Sequence, residues 1–297
     1  MTAGARQDGG NLRSIYAMLI AVAMFSVMDT AMKLLASTYP SMQVAALRAL
    51  VSLPLVFIYV GWRGGYRGAL KVRWPLHLLR GALGIAMLSL FAFGLKKLSL
   101  AEAYSIFFIA PSLITALSVV FLKETVNAAR WIAIAVGLIG VLVVLRPDGA
   151  GMLTVGGLAV LGAAACYAVS AIAGRIISRS DRSEHMVLWL MLLMGTGATL
   201  LAAPGWVGVR AADFWLLVAL AISGFLGQLA ITEAFNSGEA SVVAPFEYSA
   251  LAWGVAIDWL LWNALPDRYT LIGAAIIIGS GIYLVRKERT HAQAEHP

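Results

Sequence analysis

Asp29 and Lys33 stand four residues apart in the apolar run Ser14–Leu35, and Arg48 stands in the next run, Ser41–Val60. Ionisable groups in such surroundings are expensive, and they usually pair with one another or serve a function. Acid before base at this spacing is the favourable order for a pair within one helix. The short link Ala36–Pro40 makes the two runs antiparallel neighbours. The plain expectation is therefore a charge network Asp29–Arg48–Lys33 that fixes two helices to each other. The sharper one is that a member is released toward a bound molecule, with Arg48 the best candidate because its planar fork matches a carboxylate. Glu247 is the other candidate. It follows Pro245 by two residues and precedes Gly254 and Asp258 by seven and eleven, a spacing that puts all three on one helical face. It is expected to carry a proton or meet an ammonium group, unless it is a structural carboxylate bonded to a neighbouring helix.

Aromatic and proline residues extend the candidate set. Tyr104, Phe107 and Phe108 lie in one apolar run with Pro111, and Tyr248 and Trp253 lie in another with Pro245. The rings could stack on a flat solute, or simply pack. The prolines each remove a backbone donor and so bend or open a helix. Tyr167 and Gln228 are weaker candidates for a cavity wall. No catalytic residue, cofactor or metal is expected. His77 is the single histidine within an apolar run, the four histidines and Cys166 form no ligand cluster, and no His-Glu-x-x-His is present. That leaves little room for an intramembrane enzyme, the second class weighed. Gly64-Gly65 and Gly156-Gly157 lack the strand and the Gly-Lys-Ser/Thr of a phosphate loop, so no ATP site is expected and any work must come from ion or solute gradients.

The elements that must position these groups are membrane helices. Of 297 residues, 61% are apolar and 12% charged, against roughly 45–50% and 25% in soluble domains. Mean hydropathy is +0.85. There is too little polar surface to coat a soluble globule, which argues against a cytosolic enzyme or a nucleic-acid binder. Ten apolar runs are legible: 14–35, 41–60, 74–94, 99–122, 128–145, 152–174, 186–203, 213–235, 240–262 and 269–285. They read as helices because an open strand edge cannot survive in hydrocarbon. The first resembles a signal peptide but is too long and lacks a clear cleavage site, so it counts as a span. Fourteen of the 22 Lys and Arg residues fall on the side of the N-terminus, six on the other, and Arg48 and Arg80 inside runs. The positive-inside rule then puts both tails, 1–13 and 286–297, in the cytoplasm. The basic, amphipathic Arg63–Arg73 loop is expected beside anionic lipid.

The chain also repeats. Glu102-Ala103 matches Glu239-Ala240, Arg130-Trp131 matches Arg268-Tyr269, and both copies then enter or leave a proline-bearing run. Five runs per copy is odd, so the second copy, 152–285, must enter the membrane from the side opposite to the first, 14–145. That is an inverted repeat, an architecture of many secondary transporters. The fold class expected is an all-α membrane protein of ten transmembrane helices in two inverted five-helix repeats around a central cavity.

On these residues the chain resembles the drug/metabolite transporter superfamily, in its ten-helix EamA-type branch. The resembling stretches are Leu98–Ala103 with its echo at Phe235–Ala240, Phe121-Leu122-Lys123-Glu124, and Gly137-Leu138-Ile139-Gly140-Val141. Trp262-Asn263 stands where the second copy would repeat the Lys-Glu pair. Within the branch the chain is similar to the YddG-type aromatic amino-acid exporters. The resemblance implies a basket-like bundle in a bacterial-type inner membrane that exports amino acids and related metabolites by alternating access. An exporter of drugs or lipophilic cations is the alternative within the same fold. The candidate solute-binding residues are Arg48, Tyr104, Phe108, Pro111, Tyr167, Gln228, Pro245, Glu247, Tyr248 and Trp253. Asp29, Lys33, Arg48 and Glu247 form the candidate charge network. The partners expected are small solutes and the lipid bilayer, with no nucleic acid.

Overall fold

The structure, a computed structural model, describes residues 3–63, 65–122, 128–145, 154–177, 180–237, 246–247 and 249–295. Among these residues there are eleven α-helices and no strand. They are α1 Ala3–Ala36, α2 Ser41–Arg63, α3 Trp74–Leu95, α4 Leu100–Phe107, α5 Ala110–Leu122, α6 Ala128–Leu145, α7 Val155–Ile177, α8 Ser183–Ala202, α9 Phe214–Ser237, α10 Ser249–Trp262 and α11 Arg268–Glu295. Six stretches among the described residues are long and apolar enough to cross a membrane: Ile15–Ala36, Ser41–Arg63, Trp74–Leu95, Val155–Gly174, Glu184–Gly205 and Ala211–Ile231. Two apolar helices are shorter, Ser249–Trp262 and Arg268–Ser280. The chain is a multi-pass membrane protein.

The difference from ten full spans has a local cause in the run 99–122. It forms two helices. Ser99 opens α4 with a capping box: its hydroxyl accepts from the Glu102 N–H at 3.2 Å, and the Glu102 carboxylate accepts from the Ser99 N–H at 2.8 Å. After Phe107 the chain turns through Phe108 and Ile109 and restarts at Ala110. Pro111 thus sits in the first turn of α5, where a missing N–H costs nothing. It starts a helix rather than bending one. At the other end of the chain, Asn263 adopts a left-handed backbone (φ 51°) and stops α10. Asp267 then caps α11, accepting from the Thr270 N–H at 2.9 Å.

The helices pack in pairs that cross between the two copies. α1 packs most extensively on α9, α3 on α7, α2 on α8 and α6 on α11. Smaller contacts join α2 to α9, α3 to α8 and α4 to α10. Exchanging each helix for the one at the same place in the other copy turns this set of pairs into itself. The long helices also run in opposite senses. α1 begins beside the end of α9, through an Arg13–Glu233 ion pair of 2.9 Å. α7 begins at the opposite face, where Gly156 lies against Lys97 at the end of α3. We call the face with Arg13 the N-terminal face and the other the far face.

Each face carries a clasp built around one aspartate. On the far face Asp213 accepts from the Tyr39 hydroxyl and from Arg210 Nε at 2.9 Å. Gln43 there bonds both the N–H and the C=O of Val207, at 2.9 and 2.6 Å. This ties the α1–α2 turn to the α8–α9 loop. On the N-terminal face Asp181 bonds the His77 ring at 2.9 Å and accepts from the Arg73 N–H at 3.2 Å. Trp189 Nε1 donates to the Ala69 carbonyl at 2.6 Å. This ties the α7–α8 turn to the α2–α3 loop.

The small-residue patterns Ala133-x-x-x-Gly137 and Ala275-x-x-x-Gly279 predict a tight helix contact, within the protomer or between protomers, and within the protomer the close approach lies at a neighbouring register. A Cβ on Gly279 would meet nothing, whereas one on Gly140 would lie 2.9 Å from the Gly273 carbonyl oxygen and 2.7 Å from Ile277 Cγ1. Gly140→Ala is therefore expected to destabilise the protein by about 1–3 kcal/mol, and Gly279→Ala by less than about 0.5 kcal/mol. Thermal unfolding of the two purified variants in one detergent checks this. Equal melting temperatures would contradict the α6–α11 contact.

Candidate functional site

The predicted charge network forms with different partners. Lys33 does not turn to Asp29. Its Nζ donates to Asp258 Oδ1 at 3.1 Å and stands 4.3 Å from the centre of the Trp262 ring. A cation over an indole face is attracted by the ring's quadrupole, so the residue that departs from the Lys-Glu pattern has a use of its own. The other oxygen of Asp258 accepts from the Ala101 N–H at 2.9 Å. A carboxylate at the start of α4 satisfies a helical donor that has no partner within the helix. One aspartate, with its side chain 2% exposed, thus ties together α1, α4 and α10 toward the far face.

Glu247 does not share a helix with Gly254 and Asp258. It lies in a short 3-10 turn before α10 begins at Ser249. Gly254 and Asp258, four apart, are both buried against α4. A Cβ at Gly254 would lie 2.9 Å from Tyr104 Cδ2, so the glycine is what lets α10 approach. Trp253, next to it, is 44% exposed and belongs to the outward surface of α10 together with Trp259 and Leu260. Pro245 and Tyr248 lie outside the described residues.

Two polar centres remain. In the first, Tyr104 donates its hydroxyl hydrogen to Asp29 Oδ2 at 2.9 Å, and both residues are buried. Beside Tyr104 on α4, Phe107 packs edge-on against Phe91 and tilted against Tyr167, each with ring centres 5.5 Å apart. Glu247 is within electrostatic reach of the Tyr167 hydroxyl. Phe108 is buried in the main core.

The second centre is a cleft between α2, α8 and α9. Arg48, Ser52 and Gln228 supply its polar lining, Tyr59 and Phe225 its aromatic lining, and Gly224 leaves it open at mid-helix. Tyr59 and Phe225 meet edge to face with centres 6.1 Å apart. The Ser52 hydroxyl donates to the Arg48 carbonyl at 2.9 Å. Arg48 is 9% exposed, and its Nε donates to the Met28 sulfur at 3.2 Å. Arg48 and Gln228 were legible as candidates. Ser52, Tyr59 and Phe225 were not, since a serine and two rings in apolar runs carry no signal until three helices bring them together. No group of three or more metal-ligating side chains is found among the described residues.

A helical bundle in the bilayer that buries Asp29, Arg48 and Asp258 keeps ionisable groups where hydrocarbon makes them expensive. The profile of the EamA-like transporter family matches the chain twice, at residues 12–146 and 154–286. The chain belongs to the EamA-like transporter family. It is 28% identical to the riboflavin transporter of Vibrio cholerae over 86% of both chains. It is 26% identical to the pseudopaline exporter CntI of Pseudomonas aeruginosa, over 89% of this chain and 93% of that one. With the S-adenosylmethionine uptake transporter of Rickettsia conorii it shares 27% identity over 94% of each. A protein solved by crystallography superposes with a TM-score of 0.64 at 21% identity, covering 92% of this chain and 98% of that one, which is a likeness of fold. These relatives are named for solutes other than aromatic amino acids. The resemblance read from the sequence therefore holds for the family and not for its aromatic exporters in particular.

Proposed function

We propose that the chain is a secondary transporter that moves small amphipathic metabolites, amino acids among them, out across the cytoplasmic membrane by alternating access. In this reading the units are two five-helix repeats, 14–145 and 152–285, inserted in opposite senses, with the N-terminal face and both tails in the cytoplasm. The self-exchanging set of helix pairs, the opposed directions of α1 and α7, and the two matches to one family profile support it. The solutes named for the relatives differ from one another, so the solute class is argued from this chain's own residues. The observation that carries the reading is the cleft in which buried Arg48 meets Gln228. A cation held there has a use if it meets a polar solute. Glu247 and Asp29 would serve the solute's ammonium or a coupled proton.

The test is counterflow of radiolabelled phenylalanine, threonine and a quaternary amine into proteoliposomes, with and without an imposed pH gradient. Saturable exchange of at least one solute is expected, and absence of exchange for all of them would defeat the proposal. Glu247→Gln is expected to lower flux about tenfold or more, the worth of one charge-assisted hydrogen bond, with the amount of folded protein unchanged. Unchanged flux would remove Glu247 from the mechanism. A second reading, export of lipophilic cations, draws on Glu247 lying close to the Tyr167–Phe107 pair. In that case the quaternary amine outcompetes tryptophan.

A further inference from the structure

Among the described residues, no acid lines the cleft with Arg48. Its lining residues are one cation, a few neutral polar groups and apolar side chains. Glu247 belongs to the other centre, with Tyr167 and Phe107. Asp29 interacts with Arg48 only electrostatically, while its Oδ2 accepts from Tyr104. Among the described residues, the hydrogen bond Arg48 makes is the one from Nε to the Met28 sulfur, a weak acceptor. No hydrogen bond from either terminal nitrogen to another described residue accompanies it, in a residue 9% exposed. A guanidinium so placed offers two parallel donors to a planar oxyanion. A lysine there would offer a point charge and no such fork. Farther along the cleft, toward the N-terminal face, the lining becomes Val56, Tyr59, Met191 and Phe225, which suits a flat apolar body.

Resting on the transport reading above, we propose that this cleft is the docking site for a carboxylate attached to a planar ring. The carboxylate bonds the terminal nitrogens of Arg48, Gln228 lies beside it, and the ring lies against Phe225 and Tyr59. No ammonium group is needed for binding. The class selected is small aryl or heteroaryl carboxylic acids, and an amino acid is held through its acid end alone.

Three probes that differ by one group separate this from a zwitterion site: phenylalanine, 3-phenylpropionate, which lacks the ammonium, and phenylalaninamide, which lacks the carboxylate. Each is titrated against the purified full-length protein in nanodiscs while the melting temperature is followed. The two acids are expected to stabilise the protein with half-saturation concentrations within about threefold of each other, and the amide to be weaker by about tenfold or more. Arg48→Gln is expected to raise the half-saturation for both acids about tenfold or more, with the unliganded melting temperature close to that of the wild type. Arg48→Lys, which keeps the charge and loses the fork, falls between. Should Arg48→Gln not fold, Gln228→Leu carries the test, since it removes the amide beside the carboxylate and weakens both acids without touching the charge. The proposal is overturned if the amide binds as well as the acids, if neither acid stabilises the wild type, or if the substitutions leave the acids' half-saturation unchanged. Proteoliposome flux separates the two ideas. Flux of the acids that Arg48→Gln does not alter sinks the site and leaves the transporter. Arg48-dependent binding with no flux of any probe sinks the transporter and leaves the site.

Discussion

Asp258→Ala lowers the free energy of unfolding by about 3–5 kcal/mol. The loss comes from what stays behind. Lys33, whose side chain is 14% exposed, keeps its charge without a counterion, and the Ala101 N–H at the start of α4 loses its acceptor. Asp258→Asn preserves a carbonyl oxygen for that N–H and removes only the charge, so it falls between the alanine variant and the wild type. Adding Lys33→Met to Asp258→Asn removes the stranded cation and recovers part of the loss, because a buried ion pair is often replaceable by apolar groups once both charges go. Unfolding followed by circular dichroism in mixed micelles ranks the four proteins. If Asp258→Ala unfolds within about 0.5 kcal/mol of the wild type, the junction of α1, α4 and α10 is not held by this residue.

Asp181→Asn has the second large effect, about 1–3 kcal/mol, and this one depends on pH. Burial works against the Asp181 charge, but hydrogen bonds from the Ser180 hydroxyl, the His77 ring and the Arg73 N–H outweigh it and hold the carboxyl below its usual range. A depressed value in the folded protein means that the folded state releases this proton more readily than the unfolded chain does. The stabilisation is therefore complete above the unfolded value of about 3.9 and disappears as pH falls through the folded one. Melting temperatures measured from pH 7 down to pH 3 should converge for wild type and Asp181→Asn at the acid end and separate toward neutrality. A constant gap across that range would show that the carboxylate charge at the α7–α8 turn does not stabilise the fold.

What was legible in the sequence follows from the cost of polar groups in hydrocarbon. The helical class, the doubled organisation and the family could be read because composition, the repeated motifs and the Leu98–Ala103 stretch are properties of the chain itself. Arg48, Asp29, Lys33, Tyr104 and Gln228 could be picked out as candidates because polar groups are few in these apolar runs. Their partners could not. Lys33 prefers Asp258, 225 residues away, to Asp29 one turn away, and only the approach of α10 to α4 at Gly254 decides it. The prolines were read as bending or opening a helix, and at Pro111 it is the second: the backbone opens a fresh helix. The outward turn of Trp253 depends on which side of α10 meets α4, and that is set by Gly254 and Asp258 rather than by the ring.

The paired clasps bear on how such a bundle deforms. At the far face α2 and α8 are fastened to the ends of α1 and α9. At the N-terminal face the same two helices are fastened to the starts or ends of α3 and α7. Each of the two helices is thus held toward α1 and α9 at one end and toward α3 and α7 at the other. Pro54, inside α2 between those anchorages, interrupts the backbone ladder where twist is easiest to absorb. Pro54 follows Arg48 by six residues on the same helix, so the interrupted ladder lies close to the wall of the cleft.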